Sequence, residues 1–341
     1  MKLISFENLL KPMEHFVNGG KMFKGLIVLC ILLSGISSEA FNATHKKNCL
    51  KTKKCRGYDL RNVDFRNKNL RYFDFRDAQL QGARLNNADL RDTQMQAAKL
   101  NNANLNNAKM QKAKLNNAIF NNTKMVNTLL GNANLTRAKF SHMRIDNIGA
   151  YAAIFNYARF TKVDILRSNF KNASFKFVNV EISNVADRNL DVETSDFTNV
   201  NFENAKIKDA SFAECIFNRA NFTGTSLAQS YIVNGMFDRA NFTDTKMYDT
   251  YISGFSGGAD FIATVMVRTY IQNFDATYSY FNGANFTNAI IRNSDFSGSE
   301  FFYVNFNRAE CITNNTKFNN VHLEGTQLPN SSTKKKSCPG Y

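Results

Sequence analysis

Ala98-Lys99-Leu100-Asn101-Asn102-Ala103-Asn104-Leu105-Asn106-Asn107-Ala108-Lys109-Met110 repeats its character every five residues, and that beat decides the fold. A large apolar residue stands on every fifth position, from Leu80, Leu85, Leu90 and Met95 through Leu115 and Phe120. Two places before each stands a small one: Ala78, Ala83, Ala88, Thr93, and so on to Ala113 and Ala118. On a helix turning about 100° per residue, each repeat would rotate the large residue by about 140° and smear it around the surface. On a strand, an odd period would flip it to the opposite face at every repeat. The chain must therefore turn once per repeat. Regular turning coils a chain into a solenoid, in which each repeat buries its apolar pair only against its neighbours.

The beat keeps phase from Leu60 to Leu190, then slips by two so that Phe197, Phe202, Ile207 and Phe212 become the centres. It slips again after Ile252, across Ser253-Gly254-Phe255-Ser256-Gly257-Gly258, and resumes at Phe261; a last slip around Thr313–Asn315 leads to Phe318, Leu323 and Leu328. Insertions in repeat proteins map to loops, so short bulging loops are expected near 191–196, 253–258 and 313–315, the Gly-rich one being the most mobile. In two repeats the large and small residues trade places, at Ile148/Ala150 and Phe274/Ala276. Such an exchange conserves volume only if both positions point into one interior. The other three residues of each repeat then face water. With 17 Gly and 3 Pro, the turns cannot rest on those residues; the abundant Asn, whose side chain bonds to nearby backbone, serves instead.

The 341 residues carry a formal net charge of +15, and the excess is uneven. From Lys46 to Arg76 eleven Lys or Arg face three Asp. Such a segment reads either as a solvated basic end or as a surface for an acidic or anionic partner. Residues 1–40 read as a signal peptide with an extended n-region, Met22 being an alternative start. Lys21 and Lys24 flank an apolar run, Gly25–Ile36, and Ser38-Glu39-Ala40 suits cleavage before Phe41. That predicts an exported protein, periplasmic or secreted. The alternative is membrane anchoring through residues 25–36, although about a dozen apolar residues fall short of the span of about 20 that a bilayer needs. Beyond the signal lie Cys49, Cys55, Cys215, Cys311 and Cys338. Cys49 and Cys55 are the disulfide candidates, placed to tie down the solenoid's entrance in an oxidising compartment. Cys215 falls at a small-residue position and reads as packing.

The run Asn102–Met110 resembles the A(D/N)LXX signature of pentapeptide repeat proteins, and the likeness extends over residues 58–328, about 50 repeats. The segment Thr52–Leu60 is similar to the Cys-x-Gly-Cys-Asp-Leu entry of exported members. Tyr58 replaces its second Cys, so Cys55 would have to pair with Cys49. The resemblance implies an all-β, right-handed quadrilateral β-helix: a single elongated domain over 58–328, behind an N-terminal cap at 41–57 and before a flexible basic tail at 329–341. One pentapeptide would form each side, with about 20 residues per coil and about 13 coils, or about 60–65 Å at the spacing of paired strands. Four sides also change how the basic residues are read. Arg61, Arg66, Arg71 and Arg76 form a ring around the first coil, whereas true stripes join residues 20 apart. One stripe contains Arg84, Asn104, Lys124 and Arg144; the adjacent face carries Lys99, Ile119, Lys139 and Arg159. These cations are the candidate interaction surface. Nucleic acid is not the expected partner, since no interleaved aromatics offer stacking platforms among them.

No catalytic, cofactor-binding or metal-binding residues are expected, and no cofactor. The four His are far apart, and the sequence holds no Gly-rich phosphate loop, G-x-S-x-G elbow or HExxH motif. Asp59, Asp64, Asp74 and Asp89 sit where the family's turn-forming residue sits. The reading is a non-enzymatic, exported solenoid serving as a protein-interaction or structural scaffold. Its partner would be an unknown protein or anionic surface, with membrane contact only if the N-terminal segment stays uncleaved. The alternative is a secreted bacterial effector acting on a host cell. Imitation of duplex DNA to protect gyrase, an activity the resemblance also brings in, calls for an acidic rod in the cytoplasm, and this chain is basic.

Overall fold

The computed structural model describes residues 42–180, 190–312 and 315–327. The segment read as a signal peptide, with Met22 and the apolar run, and residues 329–341 lie outside the described residues. No helix among those described is long and apolar enough to cross a membrane.

Each repeat builds one side and one corner. After the large residue the chain turns: Val63 N–H donates to the Leu60 carbonyl at 3.2 Å, and Ala83 N–H to that of Leu80 at 3.0 Å. The second central residue of each turn has positive φ, 55° at Asn62 and 58° at Asn67, the mark of a type II turn. Asn occupies that place so often because its short polar side chain tolerates the left-handed region better than most. Stacking the coils makes the corner amides partners as well. Asn87 donates to Asn67 at 3.0 Å, Asn107 to Asn87 at 3.0 Å, Asn127 to Asn107 at 3.0 Å and Asn147 to Asn127 at 2.8 Å. A residue on the outward face of each side pairs in parallel with the residue 20 positions on, as in Lys54–Asp74–Gln94–Lys114–Asn134–Ile154–Ser174. Where the pairing extends through neighbouring residues, strands form: β1 (Ile119–Asn121), β2 (Met125–Val126), β3 (Lys139–Asp146), β4 (Arg159–Leu166), β5 (Asn179–Val180), β6 (Leu190–Glu193) and β7 (Ala210–Ala213). All pairings are parallel. The fold is a four-sided, all-β solenoid.

Both apolar positions of the repeat point inward, and the exchanged pairs Ile148/Ala150 and Phe274/Ala276 are all buried. The rings of Phe202, Phe222, Phe242, Phe261, Phe281 and Phe301 form one stacked column with centroid spacings of 5.0, 4.8, 5.0, 4.9 and 4.8 Å. Thr at the small position keeps its hydroxyl satisfied by donating to a carbonyl one coil back, as Thr225 does to Phe202 and Thr245 to Phe222, both at 2.8 Å.

The slips in phase fall differently from the sequence reading. Asn179 pairs with Arg159, 20 residues earlier, whereas Leu190 pairs with Val163, 27 earlier. The seven extra residues therefore enter between Val180 and Leu190, not at 191–196. Leu190 is a small-position residue of the new phase, and its partner Val192 is buried beside it. At 253–258 nothing is inserted. The coil is one residue short there, Tyr251 pairing with Tyr270 and Ser256 with Asp275. Phe255 takes the small position and Gly257 the large one, a third exchange. The Phe255 ring stacks on Phe237 at 4.4 Å. Gly257, with φ +116°, lies so close to the preceding coil that a Cβ would stand 2.7 Å from the Asp238 backbone nitrogen. The expected mobile loop is thus a tightly packed side. Near 313–315 the register grows from 20 (Ile290–Glu310) to 22 (Asp295–Lys317), so two residues are added between Ile312 and Lys317. Residues 313, 314 and Leu328 lie outside the described residues.

The entrance is closed by α1 (Ala43–Thr52), which the sequence reading had placed in the cap without assigning it a helix. The Asn42 side chain caps it, accepting from His45 N–H at 3.1 Å, and Lys53 ends it in the left-handed conformation. The Cys49–Cys55 disulfide joins this helix to the first coil. The His45 ring stacks on Tyr58 at 4.4 Å, and its Nδ1 accepts from Asp59 N–H at 3.1 Å.

Candidate basic interaction face

The arginines of the first coil do not form a free cationic ring. Arg61, Arg66 and Arg76 each fold back onto the Asp two residues earlier, at 2.7 Å to Asp59, 2.6 Å to Asp64 and 2.6 Å to Asp74; Arg91 does the same to Asp89 at 2.5 Å. Arg71 reaches Asp92 at 3.4 Å. The cause lies in the turn. Asp64 Oδ1 accepts the Arg66 backbone N–H at 3.1 Å, and Asp74 accepts that of Arg76 at 3.1 Å, which aims each carboxylate at the guanidinium above it. The hydrogen bond from Arg66 holds the Asp64 carboxyl at about 2. Arg61 and Arg76 likewise depress Asp59 and Asp74. The excess of charge counted in this segment is therefore largely paired where the four arginines stand.

The two stripes are in register. Arg84 bridges to Asn104 and Asn104 to Lys124; Lys99 bridges to Ile119, which pairs with Lys139, which pairs with Arg159. Arg144 stands between Lys124 and Asp164, since Met125 pairs with Ile145 and Arg144 with Asp164. Beyond it the stripe turns acidic, at Asp164 and Asp191.

Between coils on this face lies a cavity of about 570 Å³. Lys124, His142, Arg144 and Lys162 line it, with Asn106, Asn122 and Thr123 as further polar groups, Val126 and Met143 as its apolar part, and Asp164. The turn at these corners differs from the rest: β3 and β4 run through His142 and Lys162, both with positive φ, rather than breaking into a closed turn. The Thr123 hydroxyl donates to the Leu100 carbonyl at 2.8 Å, which fixes one wall. Arg144 is shared with Asp146 at 3.4 Å, and Asp146 also binds Arg167. Burial, and the Asp191 charge one coil on, push the Asp164 carboxyl up. Three permanent cations thus converge on one concave surface with a single carboxylate among them. Of the candidate residues, the structure brings Lys124 and Arg144 into this cavity; Lys139 and Arg159 lie on the adjoining side of the corner, and Lys99 and Arg84 lie on earlier coils. The contributions of His142 and Lys162 were missed. The signal was available, because both stand 20 and 40 residues after the corner residue Asn122.

Cys215 is buried, its thiol pushed up to about 12 by desolvation, as suits packing rather than reactivity. Among the described residues, no three His, Cys, Asp or Glu side chains gather to hold a metal ion.

A family model described as pentapeptide repeats matches eight copies, over residues 59–96, 88–125, 195–232 and 279–310. No curated protein matches the chain. Among solved structures it is similar to full-length QnrB1, a plasmid-mediated fluoroquinolone resistance protein, at 19% identity, covering 54% of this chain and 93% of that one with a TM-score of 0.39. It is also similar to HetL, a pentapeptide repeat protein involved in heterocyst differentiation regulation in the cyanobacterium Nostoc, at 16% identity, 85% and 95% coverage and a TM-score of 0.20. The five-residue sides, the 20-residue register and the matched copies agree: over the matched residues the chain is built of pentapeptide repeats.

Proposed function

We propose that this protein is a non-catalytic binding scaffold, exported from the cell that makes it, whose basic cavity receives acidic side chains of a protein partner. The observation that carries the reading is the convergence of Lys124, Arg144 and Lys162 on one concave surface of a close-packed solenoid. Cations held on a rigid frame lose little freedom on binding, and a cleft lined by one sign of charge concentrates the opposite sign. Export rests on the apolar run Gly25–Ile36 and the cleavage pattern before Phe41.

The binding half is tested with a poly-glutamate peptide. Lys124→Glu/Arg144→Glu/Lys162→Glu should abolish salt-sensitive binding, whereas reversing Arg61 and Arg66, already neutralised by their own aspartates, should change it little. Equal effects from the two sets would defeat the proposal. Mass spectrometry of the mature protein should find Phe41 at the N-terminus; retention of Met1 or Met22 in a membrane fraction would favour an anchor instead.

A further inference from the structure

Near the C-terminal end of the solenoid one side differs from all the others. Four successive passes of the chain cross it, at residues 257–263, 277–283, 297–303 and 319–325. Together they contain three carboxylates, Asp260, Glu300 and Glu324, and not one Lys or Arg, in a chain of net charge +15. Asp260, Tyr280, Glu300 and His322 form its outward column. On the two corners that border it stand Tyr278, 80% exposed, and Tyr303, 69% exposed. Both occupy positive-φ positions that Asn fills more often than any other residue.

Glycines explain how such large rings sit there. At Gly298, one coil after Tyr278, a Cβ would lie 2.7 Å from ring atoms Cδ1 and Cε1 and 3.4 Å from Cζ. At Gly325, one coil on from Tyr303, the corresponding distances are 2.5 Å to Cδ1, 2.6 Å to Cε1 and 3.4 Å to Cγ. A ring approaching edge-on would hold its third atom much farther away, so each ring leans its face onto a bare glycine and turns its other face to solvent. This is unlike the exposed Tyr157–Phe177 pair, whose rings stack on each other at 4.9 Å and so cover one another's faces. The result is two flat platforms at opposite borders of one side, one coil apart, with Tyr280 and carboxylates between them.

We propose that this side binds an extended, uncharged glycan, with Tyr278 and Tyr303 each carrying one pyranose ring. The electron-rich face of an aromatic ring attracts the polarised C–H groups on the apolar face of a sugar. Ionised Asp260 and Glu300 accept hydrogen bonds from its hydroxyls, which are stronger than bonds to neutral acceptors. Nucleic acid and acidic glycans are repelled, because no cation is present to meet them. A basic peptide is the competing occupant, since it could use the same rings and carboxylates. The inference concerns a different part of the surface from the basic cavity and stands without it.

The chain has 12 Tyr and no Trp, so tyrosine emission is not masked by tryptophan, and the share from this surface is the part of the titration signal lost in the Tyr278 and Tyr303 variants. Full-length protein is titrated with cellohexaose, chitohexaose and maltohexaose, and in parallel with hexalysine. At least one neutral glycan should saturate with a Kd at or below about 1 mM. Tyr278→Ala and Tyr303→Ala should each weaken it by about tenfold or more, Tyr278→Phe by no more than about threefold, and Tyr72→Ala, on a distant coil, not at all. Saturation by hexalysine alone would overturn the proposal in favour of a peptide. So would the absence of saturation by any of the three glycans, or binding that survives both alanine variants unchanged.

Discussion

Phe222→Ala removes one ring from inside a stacked aromatic column, and its cost can be worked from the surroundings. The side chain is 1% exposed. Its ring lies parallel to Phe242 at 4.8 Å and to Phe202 at 5.0 Å, with Phe217 edge-on at 5.4 Å. Truncating a buried Phe costs roughly 3–5 kcal/mol, the spread reflecting how far the site can collapse. Here it cannot collapse far. Phe222 N–H donates to Asn241 O at 2.7 Å and Asn221 N–H to Val200 O at 2.9 Å, so the coils on either side are held at their spacing by the backbone. The loss should fall in the upper half of that range, at about 4–5 kcal/mol. Arg219→Ala, three residues away on the exposed corner, leaves no cavity and should cost within about 0.5 kcal/mol. Urea unfolding followed by far-UV circular dichroism gives both numbers. Hydrogen exchange adds the location: protection should fall first in coils holding Phe202 and Phe242, because each coil touches only its neighbours. Equal costs at the two positions, or a uniform loss of protection along the chain, would refute the reasoning.

Two glycines test the packing of the interior: a Cβ on Gly235 would stand 2.4 Å from the Phe237 ring, so Gly235→Ala should cost about 1–3 kcal/mol by overpacking. Gly257→Ala meets backbone rather than a side chain and adds a positive φ, so its thermal midpoint should fall further than that of Gly235→Ala. The depressed Asp64 carboxyl makes the Arg66 pair stabilising above the ordinary carboxylate value of 3.8, with that contribution lost as pH falls through about 2. Carboxyl NMR titration should show the low midpoint, and Arg66→Ala should return it toward 3.8; because the pair is well exposed, the stability change should be small and screened by salt. Cys49→Ser opens a short loop and should cost at the low end of the usual ~2–4 kcal/mol, with exchange rising in α1 and the first coil and unchanged around Phe222.

The resemblance to pentapeptide repeat proteins supplied the partnership of residues 20 apart, as at Lys99, Ile119 and Lys139; the five-residue beat by itself determined the solenoid and the inward small and large positions. Each of these follows from chemistry within one repeat: an odd period forbids a lasting helix or strand, and an exchange such as Ile148/Ala150 needs a common interior. The entrance disulfide was legible from two cysteines standing close together ahead of the first repeat. What the tertiary structure alone decided lies in the match between coils. The same slip in phase can come from added or from missing residues. Only the pairing of Val163 with Leu190, and of Tyr251 with Tyr270, shows which occurred and where. The arginines of the first coil look free in a list and are paired in space, because the turn directs each aspartate back onto its neighbour. The basic cavity and the flat tyrosines likewise depend on what lies one coil away, where Lys162 and Arg144 line one cavity and Gly298 leaves room for Tyr278. A pentapeptide specifies its own corner; the surface it presents is set by the residues that the register stacks above and below it.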